Sequence, residues 1–513
     1  MFIRRKPNKS GTVSVQVVDK SRGSYRVVKS LGTGRTEAEL VSLERKARVF
    51  INSLKGPSLF GSIEDERVED FVSSISNAQI QVMGPELIFG TLYDFMGFNA
   101  IKEEMFRHLV VSRLFSPGSK LRTVDYLLRF QNRLYEISGV YRFLDRLCDR
   151  RGGEDIKSQV EQISYAHTKK VLGERIDVVF YDMTTLYFEA SEEDDLRRCG
   201  FSKDGKHSNP QVFLGVLVAG GGNPIGYDIF EGNIFEGDTL IPVLDKMTEK
   251  YGLGKPVVIA DAGLLSKKNL RILSDAGYEY VLGARVKNEP DTIKEKILAL
   301  KLDYGQTAVI PRKDGDRLVV SRTEGRASKD RFNRERGLAK LRKRLGAGRL
   351  TKSNINNRGY NKYLRMEGDV HISIDMEKYE ADAAWDGIKG YVTNTTMDEG
   401  EVMENYSNLW YIERAFRMSK TDLRVRPIYH RLRNRIDAHI CICFTAYAIM
   451  LELERTLKQA QCPITIDRAR ELTKNMYQLT YNLPESRMER TALMKMDQEQ
   501  QTIYELVKNH CGL

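Results

Sequence analysis

Three acidic residues stand where chemistry would need them. Asp182 follows the apolar run "IDVVFY" and Asp261 follows "PVVIA", and each is succeeded by polar or small residues, "MTT" and "AGLLS". An Asp at the C-terminal end of an apolar strand projects into the crevice where open α/β sheets place their ligands. Two such carboxylates on neighbouring strands can share divalent cations, and a set of oxygen donors favours Mg²⁺, with Mn²⁺ as a substitute. In a two-metal site the ions lie about 3.5–4 Å apart and serve the attacking and leaving oxygens of an in-line displacement at phosphorus. A third acid on a helix beside the sheet would complete the coordination. Glu413, within "YSNLWYIERAFRMSKTDLRVRP", is the best candidate. Glu413, Arg417, Lys420 and Arg424 recur at helical spacing and define one face, with Arg414 and Arg426 adding charge nearby. A metal-bound Glu flanked by cations is what a phosphodiester and its neighbouring phosphates require. Taken alone, the helix also reads as an exposed Glu–Arg pair worth a few tenths of a kcal/mol, roughly. Strand-end Asp residues likewise occur as ordinary loop or cap residues.

These residues need elements to hold them, and the 513-residue chain has room for about three or four folding units. With 41% hydrophobic and 29% charged residues it has the composition of a globular protein rather than a disordered one. Lys and Arg outnumber Asp and Glu by 81 to 70, a net charge of +11 that favours a polyanionic partner where it is gathered into patches. The basic start "MFIRRKPNKS" lacks the apolar run of a secretory signal. The longest apolar stretch, "AHICICFTAYAIMLELE", falls short of the ~18 residues of a membrane span and reads as a buried helix. The six cysteines show no metal-finger spacing and read as reduced, buried thiols.

Residues 1–60 read as a β-rich module, with strands at "TVSVQVVDK" and "SYRVVKSLG", followed by a helix capped by Thr36. Residues 61–172 are helical, with apolar stripes and Arg or Lys on the outer faces, either a plain bundle or a DNA-end-binding region. From 173 to 287 the pattern is three strands, then helix, strand, helix, strand. This order predicts an α/β fold with a mixed sheet flanked by helices. Residues 288–400 read as a β-containing insertion carrying a strongly basic helix around 329–346. Residues 401–450 return to the catalytic core, and 451–513 form a C-terminal helical region.

Several ordered stretches carry a family likeness: "VVFYDMTTLYFE", "GFSKDGKHSNPQVFLGVLV", "PIGYDIFEGNIFEGDT", "VVIADAGLLS" and the segment from "YSNLWYIERAF" to "CICFTAYAI". In these the chain resembles insertion-sequence DDE transposases, in the branch marked by a Y-R-E-K signature. The resemblance implies an RNase H-like catalytic fold with an insertion before the last acid. It also implies metal-binding acids at Asp182, Asp261 and Glu413, using Mg²⁺, with two ions. The signature Tyr and Lys fall on Tyr406 and Lys420. The signature Arg falls on Leu409, a departure that leaves Arg417 and Arg414 as candidates for its role. The implied activity is binding of the element's terminal inverted repeats, cleavage, and transfer of 3′-hydroxyl ends to target DNA by a homodimer or higher oligomer. A nuclease that does not join ends, and an inactive DNA-binding protein, are the alternatives. The expected location is the cytoplasm, at the nucleoid, with no membrane partner.

Other residues receive lesser roles. "SKDGKHSNPQ" is a polar loop in which Lys203, His207 and Gln211 could touch DNA. Gly232, Asn233 and Thr239 match a stretch that recurs in the family and read as a tight turn followed by a helix cap. The basic helix, including Arg342, Lys343 and Arg344, and the segment "RPIYHRLRNR" are expected to contact phosphates.

Overall fold

Residues 178–187, 211–219 and 257–260 are nearly continuous apolar runs, which strands sustain only where both faces of a sheet are covered. A computed structural model shows them so. It describes all residues except 22, 55–62, 149–154, 191, 201–204, 206–207, 265, 313–314, 357–358, 368–370, 427 and 484–485. The chain divides into two units, Met1–Gln81 with Tyr477–Met494, and Val82–Met476 with Lys495–Leu513.

In the first unit, β1 (Phe2–Pro7), β2 (Val13–Asp19) and β3 (Arg26–Gly34) form an antiparallel sheet. The helix Glu37–Leu54 covers it, burying Leu40 and Ala47 against Val15 and Val17. Thr36 caps this helix as expected: its hydroxyl accepts the Glu39 N–H while the Glu39 carboxylate accepts the Thr36 N–H. β1 was not visible in the sequence because its residues face mostly outward and lack alternation. β4 (Ile80–Val82) belongs to a second three-stranded sheet, formed with two strands from near the end of the chain.

The second unit is built on β5 (Val178–Tyr187), β6 (Gln211–Ala219), β7 (Pro224–Glu231), β8 (Val257–Ala260) and β9 (Tyr280–Ala284). Helices Leu240–Tyr251 and Lys267–Asp275 fall between β7, β8 and β9, the order expected from the sequence. β10 (Thr307–Pro311), β11 (Arg317–Arg322) and, after the hairpin β12 (Leu364–Glu367) and β13 (His371–Ile374), β14 (Ile388–Thr393) come from the expected insertion. Three of these strands do not stand apart from the core. The sheet runs β10-β11-β14-β9-β8-β5-β6-β7, so the insertion extends it from the β9 edge. β8 lies parallel to both β5 and β9, and every other pairing in the sheet is antiparallel. The hairpin packs with the basic helix Glu324–Gly346 and the helix Met376–Ala383 around Leu338, Leu341, Tyr363 and Tyr379. The first unit's second sheet is completed by β15 (Tyr477–Asn482) and β16 (Glu489–Leu493).

One face of the large sheet, with Val179, Tyr181 and Met183 of β5, packs on Leu240, Val243, Leu244 and Met247. The opposite face meets the helix Arg433–Gln459, whose Phe444 ring lies 4.7 Å from that of Tyr227. Among the described residues this helix is long and apolar enough to cross a membrane, but 94% of its apolar window is buried within the protein. Its Cys441 and Cys443 are buried free thiols, whereas Cys199 is exposed and the other three cysteines are half-buried. Arg113, expected on an outer helix face, turns inward and donates to the Leu423 carbonyl, and Lys120 is buried as well, its ammonium pushed down to about 7 by burial and by Arg113.

A buried polar knot ties the long helix to the end of the chain. Glu452, 2% exposed, pairs with His167 at 2.9 Å, with His510 at 2.8 Å and with Arg455. Burial alone would raise its carboxyl, but the bond from His167 and the charge of Arg455 outweigh that and hold it down at about 2. Such a group stabilises fully above its unfolded value near 4.5 and loses that contribution as pH falls toward 2. Glu452→Gln is expected to cost about 3 kcal/mol at pH 7, read as a lower urea midpoint. The wild type should then lose stability between pH 4.5 and 2 more steeply than the variant.

Candidate active site

β5 and β8 run parallel with Phe180 opposite Ile259 and Tyr181 opposite Ala260. Asp182 and Asp261 are each the next residue, on strands about 4.8 Å apart. Side chains alternate along a strand, so Asp182 shares the face of Phe180 and not that of Tyr181 and Met183. Asp182 is not at a strand end, as the sequence suggested: β5 continues to Tyr187, paired with β6 through Asp182 opposite Val216. Only β8 stops. There the Asp261 carboxylate accepts the N–H of Ala262 at 2.7 Å, and the Asp261 carbonyl accepts that of Leu264 at 3.0 Å, turning the chain away.

Glu413 lies on the helix Trp410–Arg417, which buries Ile412, Ala415 and Phe416 and leaves Glu413 exposed. The Tyr411 ring of this helix meets Phe180 edge-on at 5.9 Å, which sets the helix over the face that carries Asp182. The β6–β7 turn supports it. Gly221 and Gly222 take positive φ there, and the Gly222 carbonyl accepts the Tyr447 hydroxyl at 2.8 Å.

The cationic face expected to run from Glu413 to Arg424 is broken. The helix passes at Met418 into a single π-turn, Met418–Asp422, and Arg424 has left-handed φ 48°. A π-turn inserts a residue per turn, so positions beyond Arg417 lose helical phase. Arg417 remains exposed one turn after Glu413, and Lys420 sits half-buried in the π-turn. Arg414 is ion-paired with Glu454 on the long helix. Leu409 is 9% exposed and packs inward.

Tyr406 is mostly buried, and its hydroxyl donates to the Asp261 carboxylate at 3.1 Å rather than facing solvent. Burial and the adjacent Asp261 charge raise the phenol well above its ordinary value, so it stays a donor. The contact depends on Gly283 of β9, where an added Cβ would lie 2.3 Å from the Tyr406 hydroxyl. Lys389 of β14 places its ammonium 4.3 Å from the centroid of the Tyr406 ring. Burial lowers its pKa, reinforced by Arg326 and opposed by Asp261 and Glu413. The sequence gave no sign of Lys389, a single Lys in the strand "GIKGYVTNTT", or of Gly283. Glu236 was also missed: it approaches the Asp261 turn so closely that a Cβ at Gly263 would meet its carboxylate at 2.7 Å.

The remaining candidates are dispersed. Lys203 and His207 lie outside the described residues. Gln211 is fully buried at the start of β6, its amide donating to the Gly232 carbonyl at 2.9 Å, and so is not part of an open DNA-facing loop. Gly232 meets the expectation of a tight backbone, since a Cβ there would sit 2.0 Å from the Gln211 carbonyl oxygen, while Asn233 is exposed. Thr239 does not cap the following helix: its buried hydroxyl donates to the Glu236 carbonyl at 2.7 Å. Arg342 and Lys343 are exposed and Arg344 half-buried on the basic helix. In "RPIYHRLRNR", Arg435 is held by both oxygens of Asp145, at 2.6 and 2.8 Å. Among the described residues, no three His, Cys, Asp or Glu side chains are drawn together closely enough to hold a metal ion.

Gly283→Ala should cost about 1–3 kcal/mol by overpacking against Tyr406. The double variant Gly283→Ala/Tyr406→Phe should recover part of that loss, because the closest clash is with the hydroxyl. Urea unfolding of the four proteins checks this. Strict additivity of the two changes would show that the glycine does not serve Tyr406.

A search of curated proteins finds no match. Among solved structures, the chain is similar to a piggyBac transposase synaptic complex with hairpin DNA, at 9% identity and TM-score 0.37, over 76% of this chain and 78% of that one. It is also similar to a Mos1 transposase paired-end complex with the left transposon end, at 11% identity and TM-score 0.16, over 32% of this chain and 53% of that one. These likenesses are too low to establish a shared fold. The family described as "Transposase DDE domain" matches residues 174–449, a span that contains β5 through β9, the insertion, all three acids and most of the long buried helix. Because that match covers more than half of the 513 residues, the chain belongs to the DDE transposase family.

Proposed function

We propose that the chain is an insertion-sequence transposase of the Y-R-E-K branch that cuts DNA at the ends of its element and transfers the freed 3′-hydroxyls to target DNA. The observation that carries this reading is the parallel register setting Asp182 beside Asp261, on a sheet face covered by the Glu413 helix. The order β7-β6-β5-β8-β9, three antiparallel strands followed by two parallel ones, supports an RNase H-like core.

The donor set suits Mg²⁺: three carboxylates, no nitrogen or sulfur, and two of the acids, Asp261 and Glu413, exposed to incoming phosphate. Asp182, Asp261 and Glu413 would hold two such ions, which when bound polarise the phosphate and ready the attacking oxygen. The chain's own groups do the rest. The Tyr406 hydroxyl and the Ala262 N–H both hold the same Asp261 oxygen, and the other would serve the metal. Arg417 lies one helical turn from Glu413, where a flanking phosphate would pass, and Lys420 follows it. Arg342, Lys343 and Arg344 would neutralise phosphates farther along the duplex. The helices within 61–172 would grip the terminal inverted repeats, and a homodimer or higher oligomer would pair two ends. Such a protein would work in the cytoplasm, at the nucleoid.

Purified protein, Mg²⁺ and DNA bearing the gene's own flanking ends form the test. Asp182→Ala, Asp261→Ala and Glu413→Gln should each lower end cleavage by on the order of 10³-fold or more, with end binding changed less than about threefold. Joined products from precut ends separate a transposase from a nuclease. Undiminished cutting by Glu413→Gln would remove that residue from the mechanism.

A further inference from the structure

The site contains a cation that neither the acids nor the basic helices account for. Lys389 enters from β14, at the junction where the insertion joins the sheet: its neighbour Gly390 pairs with Ala284 of β9. Its ammonium rests on the Tyr406 ring at 4.3 Å and lies 5.3 Å from the Tyr391 centroid. Through the Tyr406 hydroxyl it is one side chain removed from Asp261. Among the described residues Lys389 makes no salt bridge, so a half-buried positive charge feels the charges of Asp261 and Glu413, two candidate metal ligands, without being in contact with either. A desolvated cation fixed in this way is costly unless an anion arrives.

Of the other cations near Glu413, Arg417 and Lys420 are assigned to flanking phosphates, and the rest are poorly placed to serve the reacting one. Leu409 is apolar and packs inward, Arg414 is engaged by Glu454, and Arg424 is turned away by the π-turn and its left-handed backbone. Lys389 also stands on the wall of a cavity of about 750 Å³ whose lining carries six cations and three carboxylates; Lys287 and Lys362 pair with Asp382, Arg334 with Asp386 and Arg326 with Asp330, which leaves Arg285 and Lys389 outside any salt bridge among the described residues. The lining keeps an excess of positive charge, which favours an anion beside Lys389.

We propose that Lys389 contacts a non-bridging oxygen of the phosphate undergoing displacement, supplying from β14 the positive charge that Leu409 cannot supply from the Glu413 helix. This assignment rests on the transposase reading and deepens it. The ammonium stabilises the negative charge that gathers on the phosphate oxygens as the new P–O bond forms and the old one breaks. Tyr406 then has two tasks, fixing Asp261 through its hydroxyl and seating Lys389 on its ring.

The test measures cutting of end DNA with Mg²⁺ by wild type, Lys389→Ala, Lys389→Arg and Glu413→Gln. It uses two substrates: ordinary DNA, and DNA whose scissile phosphate is a methylphosphonate, which lacks the anionic oxygen. On ordinary DNA, Lys389→Ala should cut about 10²-fold more slowly than wild type, with end binding within about threefold and Lys389→Arg restoring part of the rate. On the methylphosphonate the penalty of Lys389→Ala should shrink to less than about fivefold, because the contact is already gone. An equal penalty on both substrates would mean that Lys389 acts only on the structure and would overturn the assignment, as would wild-type cutting by Lys389→Ala. Cutting by wild type but not by Glu413→Gln, in the same assay, upholds the three-acid cleavage on which the transposase reading rests, whichever way Lys389 falls. No cutting by wild type would overturn both.

Discussion

The parallel pairing of β5 with β8 is the constraint on which the rest of the site depends. Parallel strands cannot be joined by a tight turn, so the chain must leave the sheet and return through a crossover. That crossover contains β6, β7 and the helix Leu240–Tyr251. Register then does what sequence distance could not: Tyr181 opposite Ala260 makes Asp182 and Asp261 neighbours although 78 residues separate them. A slip of one residue would turn one carboxylate into the core beneath Leu240 and Val243. The apolar face formed by Val179, Tyr181 and Met183 prevents that slip, so core packing and site geometry are set by the same alternation.

Glu413 is positioned by a different route. No strand pairing fixes its distance from the sheet. The helix is placed by Tyr411 against Phe180, by the glycine turn at 221–222, and by Arg414 held to Glu454 of the long buried helix. The residues flanking Glu413 thus divide their labour. Arg414, next in sequence, belongs to the scaffold, and Arg417, one turn on, is left to solvent.

This division explains what the sequence disclosed. The succession of strands and helices, the basic helix and the buried long helix were legible because apolar runs and their punctuation report directly on burial. The phase of the helix after Arg417 was not, since a π-turn follows from tertiary packing and leaves no mark in spacing. Counting by threes and fours therefore assigned Arg424 to a face it does not share. Lys389 and Gly283 were hidden for another reason. Each matters only through Tyr406, and a contact among β14, β9 and a helix more than 100 residues beyond β9 is fixed by sheet order. Likewise the strand-like stretches of 288–400 were visible, but their membership in the main sheet depends on pairing at the β9 edge, about which local pattern says nothing.

The way the insertion joins the sheet bears on synthesis. β14 reaches β9 only after more than a hundred intervening residues have been made, and Glu413 follows β14. Contacts so distant in sequence form late, and domains fold as units during translation. A nascent or truncated chain therefore holds Asp182 and Asp261 on a nearly finished core without Glu413, and the buried bond between Glu452 and His510 closes only when the helix Gln498–His510 has been delivered. The candidate site is thus assembled so that it is among the last parts of the core to be completed.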